Sequence, residues 1–83
     1  MFKAEIYITL KKTVVDPQGA TIKHALESMG YRHLEEVRIG KLITMKLAFD
    51  DKKKAEEEIT GMCKKLLANP IIEDYRFKIE EAR

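Results

Sequence analysis

One cysteine, two histidines and a few carboxylate runs are the side chains that could serve this chain as nucleophile, base or metal ligand. A cysteine nucleophile needs a histidine and a carboxylate arranged around it. Cys63 instead shares an apolar helical spacing with Ile59, Met62 and Leu66, the place of a buried structural thiol. His24 and His33 have no metal-ligand spacing to each other or to Cys63. The run Glu56-Glu57-Glu58 spreads around a helix face and is solvated, and Glu73 and Asp74 point to opposite sides of a strand rather than forming a dyad. A phosphate-cradling loop would need clustered glycines followed by Lys and Ser or Thr. Gly19, Gly30, Gly40 and Gly61 are widely separated, each with a structural use at hand. We therefore expect no catalytic, cofactor-binding or metal-binding residue in this chain.

Residues 1–83 are expected to form a single domain, because a chain of this length supports one modest core. Help from an oligomeric partner follows from that small core. Hydrophobic content of 45% with 36% charged residues fits a folded globular protein, and the net charge of +2 comes from interleaved Lys and Glu rather than a basic patch. Nucleic-acid binding and a membrane span are not expected. The start, Met1-Phe2-Lys3-Ala4-Glu5, carries no apolar signal core, and a single cysteine suits a reducing compartment, so the expected location is cytoplasmic.

The elements that would position these residues read clearly from their periods. Phe2, Ala4, Ile6, Ile8 and Leu10 alternate with polar neighbours as a half-buried strand does. Asp16 suits an N-cap and Pro17 the first helical position, followed by the stripe Ile22, Ala25, Leu26 and Met29 and a stop at Gly30. Val37 and Ile39, then Ile43, Met45, Leu47 and Phe49, suggest two strands joined by a tight hairpin at Gly40-Lys41. Asp50 or Asp51 would cap a second helix with inner stripe Ala55, Ile59, Met62, Cys63 and Leu66. Gly61 inside it suggests close packing. Asn69-Pro70 ends the helix, and Glu73 to Ile79 alternate again. The expected fold is α+β, a ferredoxin-like βαββαβ sandwich with a four-stranded antiparallel sheet and two helices on one face. The other face would carry Lys3, Glu5, Tyr7, Thr9, Leu42, Thr44, Lys46 and Ala48, with Tyr7, Leu42 and Ala48 available to a partner.

Three strings stand out in this order: Asp16-Pro17-Gln18-Gly19, Val37-Arg38-Ile39-Gly40-Lys41, and Met62 through Tyr75 with Asn69-Pro70 and Glu73-Asp74-Tyr75 inside it. Together, and at this chain length, they resemble the PurS family, the small subunit of phosphoribosylformylglycinamidine synthase. The resemblance spans essentially the whole sequence. It implies a non-catalytic subunit of a glutamine-dependent amidotransferase in purine biosynthesis. Its partners would be a PurL-type ATP-dependent synthetase and a PurQ-type glutaminase, with ATP and Mg used by the complex and not by this chain. It also implies a homodimer or a dimer of dimers. Local structure alone accounts for Pro17, Gly40 and Pro70. It leaves Gln18, Arg38 and Glu73-Asp74-Tyr75 without a fold reason, so the candidate partner-binding residues are Asp16, Gln18, Gly19, Arg38, Gly40, Lys41, Asn69, Glu73, Asp74 and Tyr75.

Two other functions share the element order. An ACT-like sensing domain could present the N–H groups of the Asp16–Gly19 turn to a small ligand. RNA binding on the sheet would need aromatics on the central strands, where Tyr7 alone qualifies.

Overall fold

The alternation of Phe2 to Leu10 buries Phe2, Ala4, Ile6 and Ile8 on one face and makes this segment the middle of the sheet. The computed structural model describes residues 1–82. Its elements are β1 (Phe2–Leu10), α1 (Pro17–Ser28), β2 (Gly40–Leu47), α2 (Lys52–Met62) with a π-helical turn at Cys63–Leu67, and β3 (Glu73–Glu81). β1 pairs antiparallel with β2 and β3, giving the order β2-β1-β3. Ile6 faces Ile43 and Phe77, and Ala4 faces Met45 and Ile79, so the inner face is an apolar row three strands wide. Burying Ile6 and Ile8 completely contributes about 1.5–3 kcal/mol each.

The opposite face is mostly polar, with opposite charges facing each other between β1 and β3, although Lys3 also lies opposite Lys46 on β2. Lys3 lies opposite Glu80, and Glu5 opposite Lys78. Tyr7 lies between Leu42 and Arg76, and the Arg76 guanidinium sits 4.4 Å from the Tyr7 ring centroid.

α2 starts where Asp51 accepts the Lys53 N–H at 3.0 Å. It lays Ala55, Ile59 and Cys63 onto β1 and β3. The expected stripe breaks at its end. Ala68 N–H donates to the Cys63 carbonyl at 3.0 Å, five residues back, and the widened turn adds a residue before the chain leaves the helix. Cys63 and Ala68 therefore stay inside, while Leu66 is 82% exposed.

The expected four-stranded ferredoxin-like sheet is corrected to three strands. Gly40-Lys41 is not a hairpin; both residues already belong to β2, opposite Thr9 and Ile8. Among the described residues the only positive φ is at Gly30, 102°, so Gly40 makes no left-handed turn. It is small for another reason: a Cβ there would lie 2.8 Å from the Ile8 carbonyl oxygen. Val37, Ile39, Ile43, Met45 and Leu47 keep one odd-numbered phase through an unbroken extended segment. A two-residue turn would instead have put Ile39 on the same face as Leu42.

The expectation of two helices on one sheet face is also corrected. Only Gly19 of α1 is buried, and Ile22 and Met29 are 40% and 71% exposed. α1 and the segment after it form an arm beside the sheet. The radius of gyration is 16.4 Å, with extents of 50 × 30 × 15 Å. A compact chain of this length would have a radius near 12 Å, roughly.

Gly61 has open space where a Cβ would be, so it marks no close packing. Gly61→Ala should stabilise the fold by about 0.5–1 kcal/mol by removing the backbone-entropy cost of glycine in a helix. Thermal unfolding should show a midpoint several degrees higher.

Candidate functional site

Asp16 joins the two halves of the arm. It precedes α1 in extended conformation and is 6% exposed. Its Oδ1 accepts the Gly19 N–H at 2.9 Å, and its Oδ2 accepts the Ile39 N–H at 2.7 Å. One carboxylate thus caps the helix and holds the segment that leads into β2. These backbone donors, Ile39 first and then Gly19, hold the Asp16 carboxyl below its ordinary range, with a smaller contribution from the Arg38 charge against the opposing effect of burial. Gly19 is required here because a Cβ would run into the Val37 carbonyl oxygen. Gln18 is exposed on the first turn of α1 and, with Pro17, Thr21, Ile22 and Ile39, borders a shallow groove.

Arg38 turns back rather than outward. Its Nη2 donates to the carbonyls of Lys11 at 2.9 Å and Val14 at 3.0 Å, which ties down the connection from β1 to α1. Arg38, which the sequence left without a fold reason, therefore has one: the guanidinium bonds the protein's own backbone.

The strand register gathers the other candidates at one end of the sheet. Gly40 and Asp74 flank Thr9, Lys41 and Tyr75 flank Ile8, and Glu73 lies opposite Leu10. Lys11 Nζ is 3.1 Å from Asp74 Oδ1, and Lys41 Nζ is 3.9 Å from Glu73 Oε2. Glu73 Oε1 also accepts the Asn69 N–H at 2.7 Å, while Asn69 Oδ1 accepts the Ile71 N–H at 3.0 Å. The Asn69 carbonyl accepts from Ile72 and Glu73, so the Asn69-Pro70 turn is closed by its own polar groups. A cleft of about 400 Å³ opens beside it, lined by Lys11, Lys64, Pro70, Asp74 and Tyr75 with Cys63 at its floor. Burial pushes the Cys63 thiol above its ordinary pKa, which disfavours the thiolate.

Lys11 is the member that sequence reasoning passed over. It continues the β1 alternation past Leu10 and pairs with a residue 63 positions away, which no local pattern reports. Chemically the cluster offers two cations and two carboxylates, several of them exposed. Such pairs stabilise the fold by about 0–1 kcal/mol each, too little to rigidify the sheet end. Among the described residues no three His, Cys, Asp or Glu side chains converge as metal ligands, and no helix is long and apolar enough to cross a membrane.

The comparisons with known proteins agree over the whole chain. A family model described as PurS, phosphoribosylformylglycinamidine (FGAM) synthase, matches residues 3–81. The phosphoribosylformylglycinamidine synthase subunit PurS of Bacillus subtilis is 44% identical over 81 residues, 98% of this chain and 95% of that one. The crystal structure of Methanocaldococcus jannaschii PurS, one of the subunits of formylglycinamide ribonucleotide amidotransferase in the purine biosynthetic pathway, superposes with a TM-score of 0.90. It is 43% identical, and the match covers 100% of both chains. A chain of the PurLQS structure from Thermotoga maritima superposes with a TM-score of 0.87 at 32% identity, over 95% of this chain and 96% of that one.

The Asp16 joint gives a signed pH dependence. Its pKa is depressed by folding, so its contribution is full above the unfolded carboxylate range and is lost as pH falls through the lower folded value. Asp16→Asn should be less stable than wild type at pH 7, and the gap in denaturant midpoint should close as pH drops below about 4. Arg38→Ala should speed amide exchange across residues 11–16 while leaving β1 and β3 protected. Unchanged exchange there would show that the guanidinium contacts hold nothing.

Proposed function

The chain belongs to the PurS family of phosphoribosylformylglycinamidine synthase, and from that premise we propose that it is the non-catalytic small subunit that bridges the glutaminase and the ATP-dependent synthetase. As a subunit of this synthase it takes part in purine biosynthesis, in the cytoplasm. The reaction it serves joins formylglycinamide ribonucleotide to nitrogen from glutamine at the expense of ATP, with Mg and ATP held by the larger partner. The observation that carries the reading is the match over residues 3–81, together with a relative that is part of a PurLQS structure.

The bridging role follows from the chemistry of the transferred group. Ammonia released by a glutaminase is protonated in bulk water and loses its nucleophilic lone pair. Holding two active sites in register keeps the transfer short and out of solvent. A subunit can do this with docking contacts alone. The row of Lys11, Lys41, Glu73 and Asp74 at one sheet end supplies charges of both signs, and Tyr75 adds apolar area at the cleft beside it. The same reading includes a homodimer or a dimer of dimers. An amino-acid-sensing role at the Asp16–Gly19 turn is disfavoured, because the Gly19 N–H is already bonded to a buried carboxylate.

Asp74→Ala removes an exposed carboxylate without emptying the core. If Asp74 anchors a partner, its loss should weaken assembly by about 2 kcal/mol, roughly 30-fold in affinity. In the reconstituted synthase, glutamine-dependent turnover should fall more than turnover fed with ammonium salt. Equal losses in the two assays would count against a coupling role. The isolated chain should show neither glutaminase nor ATPase turnover, and activity abolished by Cys63→Ala would overturn the non-catalytic reading.

A further inference from the structure

Two locally unfavourable features meet on one flank of α2. Gly61 sits in the last turn of the regular helix, where glycine weakens a helix relative to alanine. Within the chain, no heavy atom beyond its own helix and neighbours lies within 4 Å of the place its Cβ would take. Just beyond it the helix widens into the π-helical turn Cys63–Leu67, a rare geometry that recurs at functional sites. An unbroken α-helix would carry Leu66 inward, on the same face as Ile59. The widened turn swings it out instead, and it is 82% exposed.

Together these features shape a groove of about 330 Å³, bordered by Glu58, Gly61, Met62, Lys65, Leu66 and Leu67. The border residues recur at steps of three and four, so the groove follows the helix for about two turns, roughly 12 Å. Gly61 leaves its middle unfilled. Met62 and the two leucines make its walls apolar. Glu58 marks one end and Lys65 the other, and among the described residues neither takes part in an ion pair. The groove shares no lining residue with the cleft beside Asn69-Pro70. A subunit that bridges two others needs two such separate surfaces.

We propose that this groove docks an amphipathic helix of one of the larger synthase subunits. An apolar side chain of that helix enters over Gly61 against Leu66, a cation meets Glu58, and a carboxylate meets Lys65. Glycine at the centre lets the two helix backbones approach closely, and the exposed leucine supplies the anchor. A second copy of α2 does not meet these demands. In a two-fold antiparallel pairing that sets Glu58 against Lys65, the residues opposite Leu66 and Leu67 are Glu57 and Glu56. Shifting the pairing until Leu66 meets Met62 brings Lys64 of both copies together, and a parallel pairing sets like charge against like. The proposal rests on the bridging role in the functional reading and supplies its second contact.

The test is the binding of the full chain, fluorescently labelled, to the purified glutaminase and to the purified synthetase, read by anisotropy. Gly61→Gln fills the groove and Leu66→Ala removes its anchor. Gly61→Gln should raise the thermal midpoint of the isolated chain and Leu66→Ala should leave it unchanged, since neither position is filled from within. Each should nevertheless weaken binding to one of the two subunits by about tenfold. Lys65→Glu should weaken binding to that same subunit, with a loss that shrinks as salt is added. Wild-type affinity for both subunits in Gly61→Gln and Leu66→Ala would overturn the groove. So would variants that change only the sedimentation of the chain by itself, which would give the groove to a second copy. A wild-type chain that binds neither subunit would overturn the bridging reading and this proposal with it, so the two failures are told apart by the wild-type measurement.

Discussion

Two hydrogen bonds to one carboxylate decide how this chain is laid out. Asp16 takes the N–H of Gly19 and the N–H of Ile39, groups 20 residues apart in sequence. The first bond starts α1. The second fixes the 37–39 segment as an extended lead into β2 instead of a strand that doubles back. The bonds are charge-assisted, short and nearly sealed from water, the conditions under which such contacts are strongest. The tight fit of Gly19 against Val37 and the two bonds from Arg38 to the β1–α1 connection then follow from the same geometry. The three-stranded sheet and the projecting arm are consequences of this joint.

The sheet end gathers charged side chains from distant parts of the sequence. Antiparallel register brings the ends of β1, β2 and β3 to one row, so residues near positions 11, 41 and 73 become neighbours. Their charges are of both signs and pair loosely. Little native stability depends on such loose pairs. The Asn69-Pro70 turn beside them is closed by its own hydrogen bonds, which fixes where the chain enters β3. The π-helical turn contributes to the same region. By shifting the register of the last helical residues, it sends Cys63 and Ala68 inward and Leu66 outward, and leads the chain directly to Asn69.

Much of this was legible in the order of residues, and the legible part is local. The alternation of Phe2 to Leu10, the Asp16-Pro17 start, the Asp51 cap, the Asn69-Pro70 stop and the family strings each depend on neighbours a few positions apart, where side-chain period and backbone preference act directly. The outer face, with Lys3, Glu5, Tyr7 and Leu42, followed from the same period of two. A signal against the hairpin was present as well, in the unbroken odd-numbered phase from Val37 to Leu47, but a Gly-Lys step between two apolar runs reads locally as a turn. What tertiary structure alone decided are the long-range partners: Asp16 with Ile39, Arg38 with Lys11 and Val14, Lys11 with Asp74, and the position of α1 off the sheet. Hydrophobic period states that a stripe will be covered. It does not state by which surface, because burial is non-directional and the choice is made by the hydrogen bonds that fix where each element points.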